Sequence, residues 1–331
     1  MDHQSEIKNK GFIEIANDKN IDYKKEINRL RKEKNAIILA HFYQVGEIQD
    51  IADFVGDSLA LARKAAKTDA DIIVFAGVHF MAETAKILSP EKKVLIPDLN
   101  AGCSLADSCP AEEFRKFVDK YPDHIVISYV NTTAAIKTMT DIVCTSSNAI
   151  QIINYIDEDQ KIIFAPDKNL GNYLVNKTGR DMKIWQGACH VHDEISLEGI
   201  LEIKKKHPEA KIIAHPECQK PVLLVSEFIG STSQLLKFIQ TDNSQEYIVA
   251  TDTGIIHQMK NKAPAKTYYP APSINSTCGC SDCNFMKLIS LPKIYTALEY
   301  EMPEINVPEH VRKHAVKPIN KMLEISDKLK I

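Results

Sequence analysis

Along this chain the apolar residues gather in short, nearly unbroken runs, separated by stretches whose apolar positions recur at helical spacing. The runs fall at 36–40, 72–76, 94–96, 125–128, 142–144, 161–165, 211–214, 247–250 and 265–269. Almost none of them alternates polar with apolar. A strand covered by helices on both faces reads this way, so the runs predict parallel strands. Helices are expected between them, for example over 57–67, 82–88, 111–120 and 197–206. Strand and helix in alternation give an α/β fold.

The nine runs sort into three sets of three that resemble one another. The first run of each set leads into a polar cluster: Ala40-His41-Phe42-Tyr43, Ser128-Tyr129-Val130-Asn131 and Ala214-His215-Pro216-Glu217. The second runs end at Ala76-Gly77, Cys144-Thr145-Ser146 and Ala250-Thr251-Asp252. The third end at Pro97-Asp98, Pro166-Asp167 and Pro270-Ala271, and a cysteine follows each: Cys103, Cys189 and Cys283. The pattern predicts three similar three-layer αβα domains. Open parallel sheets bind ligands outside the carboxyl ends of their strands. Three such domains facing a common centre would each deliver one polar cluster and one cysteine to it. The expected boundaries are a polar N-terminal tail at 1–20, a first domain at 21–103, a second at 104–189 and a third at 190–283. C-terminal helices at 284–331 are expected to pack on the body.

Composition narrows the function. A net charge of −3 does not predict a nucleic-acid partner, which would usually demand a basic face. No apolar run approaches the ~20 residues that span a bilayer, and 1–20 lacks the apolar core of a secretory leader. The expectation is a cytoplasmic protein with neither nucleic-acid nor membrane partners. Eight cysteines in a chain of 331 residues are too sparse for a secreted disulfide scaffold. They read instead as metal ligands, catalytic groups or small buried residues. Cys109, Cys144 and Cys218 read as non-ligands. The stretch Cys278-Gly279-Cys280-Ser281-Asp282-Cys283 is the densest. Spacing alone leaves three readings about level: a cluster on three distant thiolates, a structural zinc hook, or a redox pair of Cys280 and Cys283.

Ten segments carry a resemblance: ILAHFYQ at 38–44, VGDSL at 55–59, PDLNAGCSLAD at 97–107, YVNT at 129–132, CTSSNA at 144–149, PDKNLG at 166–171, WQGACHVH at 185–192, HPEC at 215–218, GSTS at 230–233 and CNFMK at 283–287. In this order, over about 36 to 300, they resemble the quinolinate synthase family. The resemblance implies pseudo-threefold symmetry around a central active site. It implies condensation of iminosuccinate with dihydroxyacetone phosphate to quinolinate, phosphate and water, in de novo NAD biosynthesis. It implies a functional link to an aspartate-oxidising enzyme that supplies the imine. It also implies a 4Fe–4S cluster on Cys103, Cys189 and Cys283, with one iron left open as a Lewis acid, and makes Cys278 and Cys280 extras. Two positions depart from the family: Phe42 stands where an asparagine is usual, and His190 is an uncommon choice, expected to face outward.

By the same resemblance Ser58, Ser146 and Thr232, each at a helix start, contact substrate, while Tyr129 and Asn131 hold a carboxylate. His41, His215, Pro216 and Glu217 complete the substrate-binding set. Glu217 is the expected general base. His41, Tyr43 and His215 are expected to shuttle protons and polarise carbonyls. His192, three residues past a ligand cysteine, is expected to bond the substrate or the cluster environment. The rivals are another 4Fe–4S hydro-lyase on the same scaffold, a non-catalytic iron–sulfur sensor and a zinc-stabilised binding module.

Overall fold

The computed structural model describes residues 3–15, 21–274 and 281–331. Cys278, Cys280 and part of the N-terminal tail lie outside the described residues. Among the described residues twelve strands form three parallel sheets of four. The first contains β1 (Ala36–His41), β2 (Phe54–Gly56), β3 (Ile72–Ala76) and β4 (Lys93–Leu95). The second contains β5 (His124–Tyr129), β6 (Ile142–Cys144), β7 (Lys161–Ala165) and β8 (Met182–Ile184). The third contains β9 (Lys211–Ala214), β10 (Phe228–Ile229), β11 (Glu246–Ala250) and β12 (Thr267–Pro270). In each sheet the second strand lies outside the first, with the third and fourth on its other side. The fold is thus α/β with three similar αβα modules.

The central strands are aliphatic because helices cover both their faces. Ile38, Ile73, Ile163 and Ile213 have no exposure at all, and burying each such side chain stabilises by about 1.5–3 kcal/mol. The sequence pattern missed Phe54–Gly56, Met182–Ile184 and Phe228–Ile229, which are edge strands of two or three residues and too short to show a period. Their absence also misaligned the repeats. Ile142–Cys144 is an outer strand, equivalent to β2 and β10, and the partner of β3 and β11 is β7. Pro166-Asp167 therefore matches Thr251-Asp252 rather than Pro97-Asp98. Register settles this: Ala40 pairs with Ala76, Ser128 with Ala165 and Ala214 with Ala250.

Each outer strand is fastened in the same way. The acid just before it accepts the N–H of a first-strand residue: Asp53 from Ile38 at 2.8 Å, Asp141 from Val126 at 2.8 Å, Glu227 from Ile212 at 2.7 Å. The acid's own N–H returns to the carbonyl of that residue at 2.9–3.0 Å.

The chain divides into two compact units, Met1–Cys103 with Asn284–Lys313, and Ser104–Cys283 with His314–Ile331. The first sheet lies in the first unit, where helix Leu291–Tyr300 packs on helix Tyr23–Glu33. The other two sheets lie in the second. A second helix of the C-terminal stretch, Glu309–Lys328, follows; in the second unit its Ser326 accepts from Asn148 at 2.9 Å. Among the described residues no helix is long and apolar enough to cross a membrane.

Candidate active site

The register places three pairs of side chains at equivalent strand ends: His41 and Tyr43, Tyr129 and Asn131, His215 and Glu217. In the first unit, His41 is buried, and its Nδ1 accepts the N–H of Tyr43 at 3.2 Å. An accepting Nδ1 leaves the ring proton on Nε2. His215 repeats the arrangement in the third module, with Nδ1 accepting the Glu217 N–H at 3.4 Å. The equivalence read from sequence thus extends to the ring's local geometry.

A second device shapes the same loops. Gln49 is buried, and its Nε2 donates to the carbonyls of Phe42 at 3.0 Å and Gln44 at 2.7 Å, straddling Tyr43. In the second module Lys137 stands at the matching position, fully buried. Its ammonium donates to the Val130 carbonyl at 3.0 Å, the Thr132 carbonyl, and Thr132 Oγ1 at 3.3 Å, straddling Asn131. Three acceptors suit the three N–H donors of an ammonium. Asn131 Oδ1, between them, is buried with no hydrogen-bond partner among the described residues.

In the first unit Ser58 opens helix Ser58–Lys67, which Asp57 caps by accepting from Ala60 N–H. Phe42, between His41 and Tyr43, is buried. Cys103 is half-buried, and near it Ala101 accepts from His79 N–H at 2.7 Å.

In the second unit the side chains meet at Glu217, which is 2% exposed. Tyr129 Oη donates to Glu217 Oε1 at 2.5 Å. His192 Nδ1 lies 3.2 Å from Oε2 and 3.3 Å from Cys189 Sγ, while its Nε2 meets Thr251 Oγ1 at 2.8 Å. The His192 and His215 rings stack with centroids 4.7 Å apart. Burial alone would push the Glu217 carboxyl up. His215, His192 and the Tyr129 hydroxyl outweigh it and hold Glu217 down to about 2. Asp167, also fully buried, is pushed well above the carboxylate range by burial and by the Glu217 charge, with backbone N–H groups opposing. Both Asp167 oxygens accept backbone N–H groups, from Leu170 at 2.7 Å and Cys189 at 3.2 Å.

Helix starts line the same unit. Ser231 caps helix Thr232–Thr241 in a capping box with Gln234, and its hydroxyl meets Ser147 Oγ at 2.8 Å. Ser146 is half-buried in the adjoining turn and Thr232 is buried. Pro216 is buried in the turn between His215 and Glu217. His190 is not outward-facing as expected: it is half-buried, its Nδ1 lies 2.6 Å from Ser104 Oγ, and burial lowers its pKa, with Glu194 opposing.

The cysteines divide in two. Cys103, Cys189 and Cys283 are half-buried and in no disulfide. Cys109, Cys144 and Cys218 are sealed. Burial, aided by Glu113, raises the Cys109 thiol to about 12; burial also raises Cys144, and with Glu217 raises Cys218. Cys218 Sγ donates to the Ala250 carbonyl at 3.3 Å. Cys189, His192 and Glu217 offer donor atoms within 4.8 Å of one another, a group able to hold a metal ion. Cys283 is tied to the same region, since its N–H donates to Asp252, the neighbour of Thr251. Sequence reasoning missed Asp167, Thr251, Asp252, Lys137 and Gln49. Correct alignment of the repeats is the signal that pairs Asp167 with Asp252 and Gln49 with Lys137.

A family model described as Quinolinate synthetase A protein matches residues 25–324. The chain is 59% identical over 301 residues to the quinolinate synthase of Trichormus variabilis, covering 91% of this chain and 93% of that protein. It is 59% identical over 297 residues to that of Trichodesmium erythraeum, covering 90% and 92%, and 56% identical over 300 residues to that of Synechocystis sp., covering 91% and 94%.

Proposed function

The chain belongs to the quinolinate synthetase A protein family and is an enzyme, and from that premise we propose that it makes quinolinate for de novo NAD biosynthesis. The substrates are iminosuccinate and dihydroxyacetone phosphate, and the products are quinolinate, phosphate and water. The observation that carries this reading is the buried Glu217 carboxylate in reach of Tyr129, His192 and His215. Joining two carbon skeletons and expelling phosphate and water requires protons to leave and return at fixed places. Glu217, held ionised, takes a proton from carbon. Tyr129 can replace it through Oε1, and His192 through Oε2. His41 and His215 present a proton on Nε2 and can polarise a carbonyl, with Tyr43 beside His41.

The substrates are anions. Ser58, Ser146 and Thr232 offer hydroxyls at helix starts, where backbone N–H groups favour negative charge. Asn131 and Tyr129 hold a carboxylate, and Pro216 shapes the wall. In this reading the modules are 21–103 with 284–331, 104–189 and 190–283. The protein works in the cytoplasm on imine from an aspartate-oxidising enzyme.

Cys103, Cys189 and Cys283 would hold a 4Fe–4S cluster. Their half-buried thiols suit that role, whereas Cys109, Cys144 and Cys218 are sealed and held protonated. When bound, the cluster would supply an open iron as a Lewis acid for a substrate hydroxyl or carboxylate.

The test is an anaerobic assay of the purified protein with both substrates, following quinolinate and inorganic phosphate together. Equal release of the two supports the reading. Turnover of a hydroxy acid without triose phosphate would favour another hydro-lyase instead, and a cluster without any turnover would favour a sensor.

A further inference from the structure

Asp167 and Asp252 occupy the same place in two modules, two residues past the central strands β7 and β11. Both are completely buried. Each uses one oxygen to start the following turn, Asp167 accepting from Leu170 N–H at 2.7 Å and Asp252 from Gly254 N–H at 2.8 Å. Each uses the other oxygen on a cysteine's backbone: Asp167 accepts the N–H of Cys189 at 3.2 Å, and Asp252 that of Cys283 at 2.7 Å. The matching residue of the first module is Val78, which has no acceptor on its side chain. There the segment leading to Cys103 is held by Ala101, through His79 N–H. Two of the three thiols thus share a fastening that the third lacks.

From this juxtaposition we infer that Asp167 and Asp252 are positioning residues for the cysteine ligands of the cluster. The inference rests on the cluster reading given above. An amide N–H has one proton to give. Those of Cys189 and Cys283 are each committed to a buried aspartate oxygen, so the backbone that bears each thiolate is held by a rigid anchor. The surroundings of the sulfurs help to set a cluster's potential, so a displaced thiolate shifts it. Groups that orient metal ligands in this way typically contribute about 10–100-fold to retention.

The experiment uses the anaerobically purified holoenzyme and the variants Asp167→Asn and Asp252→Asn, with Asp242→Asn as a remote control. Iron and sulfide are counted, then iron loss to EDTA is timed and the midpoint potential is titrated by EPR. The two variants are expected to lose iron about 10–100-fold faster than wild type and to show a shifted potential. The control should match wild type. Wild-type retention and potential in both variants overturn the inference alone. A wild-type protein that takes up no iron or sulfide overturns it together with the cofactor reading. Should the variants not fold, amide exchange in the unmutated holoenzyme decides. Slow exchange at Cys189 and Cys283 supports the anchors, and fast exchange at both removes them.

Discussion

Tyr129 Oη stands 2.5 Å from Glu217 Oε1, so the end of β5 touches the end of β9 through one short, charge-assisted hydrogen bond. Replacing Tyr129 with Phe leaves Glu217 buried with one donor fewer. Turnover is expected to fall about 10²–10⁴-fold, the usual weight of one general acid–base group. Glu217→Gln is expected to abolish turnover while leaving the cluster spectrum intact. Steady-state rates beside an absorption spectrum check both, and a Glu217→Gln enzyme turning over at the wild-type rate would remove Glu217 from the base role.

Thiol chemistry separates the two groups of cysteines. In the folded, cluster-free protein, iodoacetamide is expected to label Cys103, Cys189 and Cys283 well ahead of Cys109, Cys144 and Cys218, whose thiols are sealed and raised. Single replacement of Cys103, Cys189 or Cys283 by Ala should cost the cluster, whereas Cys144→Ala should keep it. Peptide mapping and iron counts report the outcome; labelling of Cys144 in the folded state would contradict the assignment.

Lys137 is a buried cation satisfied by loop oxygens, so its loss leaves carbonyls unsatisfied. Lys137→Met is expected to lower stability by about 2–4 kcal/mol, read as a drop in denaturation midpoint. It should also raise KM for the anionic substrates through the loop carrying Asn131. Gln49→Leu should act in the same direction by a smaller amount, because no buried charge is involved. An unchanged midpoint in Lys137→Met would mean that the loop keeps its shape unaided.

Asp242 supplies a pH test away from the site. Burial would raise its carboxyl, but Lys211 at 2.5 Å, Tyr247 at 2.8 Å and the Ser244 N–H hold it below the ordinary range. A depressed folded pKa stabilises above the unfolded value of about 3.9, and that stability is lost as pH falls through the folded value. Asp242→Asn should therefore cost about 1–2 kcal/mol at pH 7 and progressively less under acid. Denaturation midpoints of both proteins at neutral pH and in acid measure it; a cost that grew toward acid would reverse the sign.

The central strands and the polar clusters after them were legible because unbroken aliphatic runs have few other uses. The repeats were legible at the first strands, where His41 and His215 recur. They were misread at the second, since Phe54–Gly56 and Phe228–Ile229 are too short for any pattern and Ile142–Cys144 resembles a central strand. Asp167 and Asp252 escaped for that reason: without the right alignment, each reads as an ordinary cap. Lys137 and Gln49 escaped because a polar residue in a short helix is usually wet, and only coordinates reveal that these two point inward. His190 was assigned to solvent by the same default.

The acids before the outer strands carry a consequence for solubility. A strand as short as Phe228–Ile229 makes too few ladder bonds to hold its own place, and Glu227 pins its entry to Ile212 from both directions. Once released, such an edge exposes unpaired backbone to any passing chain. Glu227→Ala is expected to show first as turbidity on storage, before activity declines, with Asp53→Ala and Asp141→Ala following at their longer and better-laddered edges.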